Sequence, residues 1–317
     1  MKILITGGCG YVGTKLIPKL LKLNYKIINI DTQWFGNFLP KHKNLNNIKS
    51  DISNIEKLNL KNIDAVIHLA SIANDPMAEL DKNLSWETSS LNSVRLMDFC
   101  KKIKVKKIIY ASSGSVYGIK KEKKVTENSS LVPLSLYNKV KMVTEKVIQS
   151  YDDYFDVYII RPATVCGYSK RMRLDVSVNI LTFSALEKKE ITVFGGKQIR
   201  PNIHINDMCE LYITLLKTKK IKPGIYNAGF ENLSILDIAK KVQKIIPSKI
   251  KIIKNTNDPR SYRINSEKLL KAGFRPKFKV EDAIKELSKL YNSKILFAQQ
   301  NNYSLKHLKK ILKKKKK

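Results

Sequence analysis

The sequence predicts an α/β protein: a Rossmann-type doubly wound parallel sheet followed by a smaller mixed α/β C-terminal lobe. Three observations carry this. Short β-branched runs alternate with helical periodicity through the first half, and a glycine-rich turn joins the first such run to the first helix. After Arg161-Pro162 the pattern then changes to shorter, mixed elements. In the first half, strands are expected at Lys2–Thr6, Lys26–Ile30, Asn47–Ser50, Ala65–Leu69, Lys107–Ser112 and Val157–Ile160. Between them, spacing near 3.6 predicts helices over Tyr11–Leu23, Leu84–Lys102 and Ser135–Tyr151. The last two are longer than a crossover needs and are expected to carry an interface as well. The second half predicts a helix at Val176–Lys188, strands at Ile191–Phe194 and Ile199–His204, and helices at Asn206–Lys217, Ile235–Ile246 and Val280–Asn292. Loops hold Gly195-Gly196, Pro223-Gly224 and Asp258-Pro259-Arg260. The expected division is residues 1–162 for the sheet, with one helix or strand returning from the second half, 163–295 for the smaller lobe, and 296–317 for a lysine-rich tail.

At 317 residues the chain is long enough for a full core and near the size at which one core divides into two. Its 43% hydrophobic and 27% charged residues exclude a disordered chain. The formal charge of +33 raises the question of a nucleic-acid or membrane partner. Only eight of the 60 basic residues are arginine, however, and the lysines are scattered, so a solvated basic surface is expected and no nucleic acid. Cys9, Cys100, Cys166 and Cys209 form no CxxC or CxxH pair, which argues against a metal site or disulfide framework. The first residues run directly into the glycine-rich turn, leaving no room for a cleavable signal, and no apolar run approaches a membrane span. A cytoplasmic location is expected.

Glycines at 7, 10 and 13 stand between the first strand and the first helix, in the segment Thr6-Gly-Gly-Cys-Gly-Tyr11-Val12-Gly13. A bulky Cβ there would block both the tight turn and the approach of a pyrophosphate to the helix N-terminus. Asp31 ends the next strand at the distance expected of a carboxylate that holds a ribose 2′-hydroxyl. That carboxylate would repel a 2′-phosphate, so NAD is expected rather than NADP. Further on, Ala111-Ser-Ser113-Gly-Ser-Val-Tyr117-Gly118 ends a strand, and Tyr137 and Lys141 follow on one helical face. An ammonium beside the phenol is expected to lower its pKa and make Tyr137 a base, with a serine at the strand's mouth bonding the same substrate oxygen.

With these motifs in order, the sequence resembles the extended short-chain dehydrogenases/reductases of the nucleotide-sugar epimerase and dehydratase type over Met1 to Tyr291. The shared segments include Asp51-Ile52, His68-Leu69-Ala70, Asn92, the SSGSVYG run, YxxxK, Arg161-Pro162-Ala163, Arg200-Pro-Asn-Ile-His204 and Asp258-Pro-Arg260. The resemblance implies Ser113, Tyr137 and Lys141 as the catalytic set. It also implies Asp51 and Ile52 beside the adenine, Leu69 and Ala70 along the cofactor channel, Pro162 near the nicotinamide, and Asn92 in the same cofactor site, with Tyr11 and Val12 beside the glycines. Members that are 4,6-dehydratases resemble one another in a Thr-Asp-Glu triplet where this chain has Ser113-Gly114-Ser115, so simple dehydration is disfavoured.

The stretch Arg161 through Thr164, Arg171, Arg173 and Asp175 to Asn179, with Asp258 to Arg263, is similar to bacterial surface-polysaccharide enzymes, including GDP-heptose 4-dehydrogenases and epimerase-like relatives. Six of the eight arginines, Arg161, Arg171, Arg173, Arg200, Arg260 and Arg263, fall in three short segments expected to border one cleft. Guanidinium groups match a diphosphate, so Thr164, Arg173, Asn179, Arg200, Arg260 and Arg263 are the expected substrate residues. Arg161 and Arg171 serve equally well as ties between loops and sheet. His68 and His204 are expected to be structural, and Cys9 and Cys166 inert.

Together these imply an NAD-dependent enzyme acting at C4 of a nucleoside-diphosphate sugar through a 4-keto intermediate, in surface-polysaccharide precursor synthesis. Epimerisation and 4-dehydrogenation share the triad. A 4-keto-sugar reductase and a non-catalytic dinucleotide-binding protein with a nucleic-acid or protein partner are the competing classes. The two long helices, with the resemblance, imply a homodimer. In the tail, Leu305, Leu308, Ile311 and Leu312 recur at helical spacing among lysines. A solvated tail is expected there, with weak contact to an anionic membrane surface as the alternative. Removing everything after Gln300 is expected to leave catalysis nearly unaffected.

Overall fold

A computed structural model of the chain describes residues 1–122, 124–254 and 261–315. Asp258, Pro259 and Arg260 lie outside the described residues. The first half builds β1 (Lys2–Thr6), α1 (Tyr11–Lys22), β2 (Lys26–Asp31), β3 (Leu45–Lys49), β4 (Ala65–His68), α2 (Asp75–Ala78), α3 (Lys82–Trp86), α4 (Asn92–Lys102), β5 (Lys107–Ala111), α5 (Leu136–Gln149) and β6 (Asp156–Pro162). The second half adds β7 (Thr164–Cys166), α6 (Ser177–Lys188), β8 (Glu190–Phe194), β9 (Ile199–His204), α7 (Ile205–Lys217), β10 (Gly224–Ala228), β11 (Glu231–Ser234) and α8 (Ile235–Ile245). It closes with β12 (Lys249–Ile253), α9 (Glu267–Lys271), α10 (Val280–Asn292) and α11 (Ser304–Lys315).

Seven strands form one parallel sheet in the order β3-β2-β1-β4-β5-β6-β10. Its strands are apolar on both sides because both faces are covered. Ile3 and Ile5 pack with Ile17 and Leu20 of α1 and Leu211 and Leu215 of α7. Leu4, between them, faces the other way onto Leu96 and Met97 of α4 and Ile148 of α5. The strand order reverses between β1 and β4, and this opens a crevice at the strands' carboxyl ends. The second half closes over that crevice with a three-stranded sheet, β11-β9-β7, and a β8-β12 pair. A separate core of Val178, Leu181, Ile191, Val193, Ile238 and Ile284 holds α6, α8 and α10 together.

Two expectations needed revision. Leu84–Lys102 is not one regular helix, since a π-helical turn at Glu87–Leu91 separates α3 from α4. That turn brings Thr88 and Asn92 to the crevice, as π-turns near functional sites do. As far as Lys315 the tail is not frayed but forms a helix docked on the protein. Leu308 is 1% exposed, and Leu305 and Leu312 pack with it against Ile72, Met77 and Ala78. Three of the four apolar residues of the stripe, Leu305, Leu308 and Leu312, are therefore engaged within the protein, while Lys306, Lys309, Lys310 and Lys313 point to solvent. No described helix is long and apolar enough to cross a membrane.

Candidate active site

The crevice holds a cavity of about 1550 Å³. Its floor begins at the turn after β1, where Gly7 has φ +75° and a Cβ on it would stand 2.6 Å from the Ala70 nitrogen. A Cβ on Gly13 would stand 2.4 Å from the Gly8 Cα, so the helix start closes tightly on the turn. Gly10 caps α1 without a side-chain hydrogen bond, and the first turn carries no acidic residue. An anion can therefore approach the helix N-terminus. At the end of β2, Asp31 accepts from the backbone N–H of Gln33 at 2.6 Å and of Cys9 at 2.9 Å. The carboxylate fixes the glycine turn and retains free lone pairs toward the cavity. Asn29, which no motif marked, accepts from the Gly8 N–H at 2.9 Å and donates to Asn47 at 2.8 Å.

Gly7, Gly10, Tyr11, Val12, Gly13, Asp31, Asp51, Ile52, Leu69, Ala70, Asn92 and Pro162 all line this one cavity. Asn92 donates to Asp51 at 3.0 Å and accepts from Arg95 at 2.7 Å, which fixes the Asp51 carboxylate beside Ile52. A cradle that any Cβ would fill, with a carboxylate at the end of the second strand, fits a dinucleotide.

Further along, Ser113, Tyr137 and Lys141 line the same cavity. The Ser113 and Ser115 hydroxyls are 2.8 Å apart, and Ser115 donates to Asn138 at 2.5 Å. The nearby Ser113 hydroxyl favours the ionised Tyr137 phenol, yet enclosure by protein pushes that phenol up to about 12. The expected lowering by Lys141 is not what the geometry shows. Lys141 donates instead to the Ala111 carbonyl at 2.7 Å and lies 4.9 Å from the centre of the Tyr110 ring. Its own pKa falls to about 7 because burial disfavours the ammonium, with Glu145 opposing. For both groups desolvation outweighs the neighbouring charge.

The arginines divide. Arg171, Arg173 and Arg200 line the cavity with Thr164, and Arg173 pairs with Asp175 at 2.9 Å. Arg161 does not line it: its buried guanidinium pairs with Glu145 at 2.7 Å and donates to Tyr117 at 2.8 Å. Two expected substrate residues are corrected. The side chain of Arg263 is exposed and outside the cavity, because its strand-like segment turns Tyr262 and Ile264 inward. Asn179 is fully buried, donating to the Tyr11 hydroxyl and the Arg173 carbonyl and accepting from the Gly167 N–H. It holds the loop rather than facing a ligand.

Both histidines are structural in their contacts. His68 is buried between Thr6 and Ser93, and burial lowers its pKa to about 3. His204 caps α7 by accepting from the Asn206 N–H and stacks on Phe278. Cys9 is pushed up to about 12, first by burial and then by Asp31. No group of residues capable of holding a metal ion occurs among the described residues. Sequence reasoning missed Trp34 and Phe35 after β2, Asn74 and Asp75 at α2, and Ser304 and Leu305 of the tail, all of which line the cavity. Asn74 and Asp75 stand just before Pro76, a helix-start signal readable in advance. The tail offered none.

A dinucleotide cradle at the sheet's switch point, opening onto a serine, a tyrosine and a buried lysine, defines a short-chain dehydrogenase/reductase of the extended type. Residues 3–229 match the NAD dependent epimerase/dehydratase family, and the chain belongs to that family of nucleotide-sugar enzymes. It is 30% identical over 261 residues to a Bacillus subtilis protein described as an uncharacterized UDP-glucose epimerase, covering 77% of this chain and 82% of the relative. With the UDP-glucose 4-epimerase of Lactobacillus helveticus it shares 27% identity over 92% of this chain and 98% of that one. The crystal structure of UDP-glucuronic acid 4-epimerase from Bacillus cereus, in complex with UDP-glucuronic acid and NAD, superposes with a TM-score of 0.82. There the identity is 28%, over 92% of this chain and 99% of that one.

Proposed function

We propose that the chain inverts C4 of a nucleoside-diphosphate sugar through a 4-keto intermediate, with NAD held between the glycine turn and Asp31. The observation that carries this reading is the meeting of Ser113, Tyr137 and Lys141 in the cavity that also takes in the glycine turn and three arginines. Bound NAD supplies a two-electron acceptor that returns the same electrons. Tyr137 removes the proton of the C4 hydroxyl, and Ser113 holds the C4 oxygen as it becomes a carbonyl. Lys141 stabilises the ionised phenol once ligands enclose the site. Arg173 and Arg200 hold the diphosphate, with Thr164 beside them. A site this large leaves a 4-keto sugar room to turn over before it is reduced on its other face.

Dehydration is the weaker reading for this chain. A Cβ on Gly114 would stand 2.2 Å from the Ile264 Cδ1, so a carboxylate acid has no room there without displacing that side chain. Within the proposal, the work belongs to surface-polysaccharide precursor synthesis in the cytoplasm. The exposed flank of the π-turn and α4, where Leu91 is 55% exposed, suits a homodimer.

The triad is tested by Tyr137→Phe. Turnover of UDP-glucose or UDP-glucuronic acid should fall by at least about 10²-fold while bound NAD is retained, since a general base commonly contributes that much. Near wild-type turnover would remove Tyr137 from the reaction.

A further inference from the structure

The C-terminal segment is a wall of the ligand cavity. On one side it grips the loop after β7: the Asn302 carbonyl accepts from the Leu174 N–H at 2.9 Å, and the Ser304 N–H donates to Asp175 at 3.2 Å. On the other it grips the loop after β2: His307 Nε2 lies 2.8 Å from the Trp34 carbonyl, and Asn301 donates to the Phe35 carbonyl at 3.3 Å. Ser304 and Leu305 face the cavity between these two grips. Leu308, buried on α2, holds the helix in place.

Arg171 stands at the centre of this arrangement. It is 4% exposed, and its guanidinium carbon lies 4.2 Å from the centre of the Phe35 ring. Its Nη2 donates to the Ser304 hydroxyl at 3.0 Å, its Nη1 reaches only the Met172 carbonyl at 3.4 Å, and its Nε has no partner. Asp175, the carboxylate beside it, is engaged by Arg173 at 2.9 Å. Among the described residues Arg171 thus makes no ion pair of its own, since Asp175 is taken by Arg173 and Asp31 acts on it only at longer range, and a buried cation left incompletely balanced is costly. Burial, reinforced by Arg173 and only partly opposed by Asp175 and Asp31, lowers the Arg171 pKa to about 9.

We propose that the C-terminal helix belongs to the ligand-binding site, where Ser304 positions Arg171 to bind the diphosphate of a ligand in the cavity. The inference rests on the proposed function for its ligands, since NAD and a sugar nucleotide both carry a diphosphate. A diphosphate adds negative charge beside this buried cation and matches the free edge of its planar guanidinium. Arg171 is then a binding residue and Ser304 a positioning residue. The tail is accordingly required for function, contrary to what its lysine-rich sequence suggests.

The test uses the full-length protein, stripped of ligand and titrated separately with NAD, UDP and GDP, and with adenosine and uridine as controls without phosphate. Arg171→Met should weaken one class of diphosphate by about tenfold or more. Ser304→Ala should weaken the same class by about three- to tenfold, raising KM with kcat nearly unchanged, and Ser304→Thr should restore it. Loss confined to NAD identifies the dinucleotide as the ligand, and loss confined to UDP or GDP identifies the sugar nucleotide. Should Arg171→Met fail to fold, Arg171→Lys keeps the charge, loses the fork and should weaken the same ligand. Wild-type affinity for all diphosphates in these variants, or equal weakening of the nucleosides, would overturn the proposal. Because binding is read without turnover, a chain that binds diphosphates through Arg171 but inverts no sugar separates failure of the proposed reaction from failure of this inference.

Discussion

Lys141 is 3% exposed and carries its charge at the cost of burial, which takes its pKa from the usual 10.5 to about 7. Its folded pKa lies below its unfolded one, so unfolding takes up a proton between those two values and stability rises with pH across that window. The penalty is full below about pH 7 and vanishes above about 10.5. Replacing Lys141 with Met removes it. The melting temperature of the ligand-free variant relative to wild type should therefore be highest near pH 6 and decline toward pH 10. A difference independent of pH would mean that the ammonium is not buried in the folded protein. At this scale the sequence was a good guide to which segments meet, and a poor one to where side chains point. Tyr137, Lys141 and Ser113 share the cavity because helix and strand periods fix their faces. Asn179 and Arg161 lie in the expected segments yet turn inward, drawn by Tyr11 and Glu145, partners 168 and 16 residues away.

The β1–α1 unit shows what is legible at the level of elements. A run of Lys2–Thr6 followed by glycines at 7, 10 and 13 and an amphipathic helix has few other foldings, and the strand bounds agree with expectation. The short strands β7, β10, β11 and β12 were not foreseen. Gly224-Ile-Tyr-Asn-Ala228 contains residues poor in strands, and Lys249-Ile-Lys-Ile-Ile253 alternates charge with isoleucine on a largely exposed edge. Those strands form through pairing with distant partners, β6 and β8, which no local pattern encodes. The glycine turn gives a test of its own. Gly13→Ala would place a methyl against the Gly8 backbone, which cannot swing aside as a side chain would. It should cost about 1–3 kcal/mol in stability and weaken NAD binding at least tenfold. Urea denaturation and a cofactor titration measure the two effects, and wild-type values in both would show that the turn has slack.

Over the whole molecule, the sheet supplies the dinucleotide cradle, the second lobe the arginines, and the tail ties a loop of each to the other. The sheet was readable because βαβ units repeat a pattern. The tail's docking was not, since an amphipathic lysine-rich helix is written the same way whether its apolar face meets lipid, water or α2. The +33 charge is carried mainly by exposed lysines, whereas of the described lysines the cavity takes in only Lys141 and Lys188, beside three of the scarce arginines, so net charge said little about the ligand. The central claim is inversion at C4 by oxidation and return of the same electrons. Incubation of the purified protein with UDP-glucose or UDP-glucuronic acid deuterated at C4, followed by proton NMR, tests it most directly. The expected product is the C4 epimer with deuterium still at C4 and no net NADH. A 4-keto-6-deoxy sugar, accumulated NADH, or an epimer that has lost its C4 deuterium to water would contradict it.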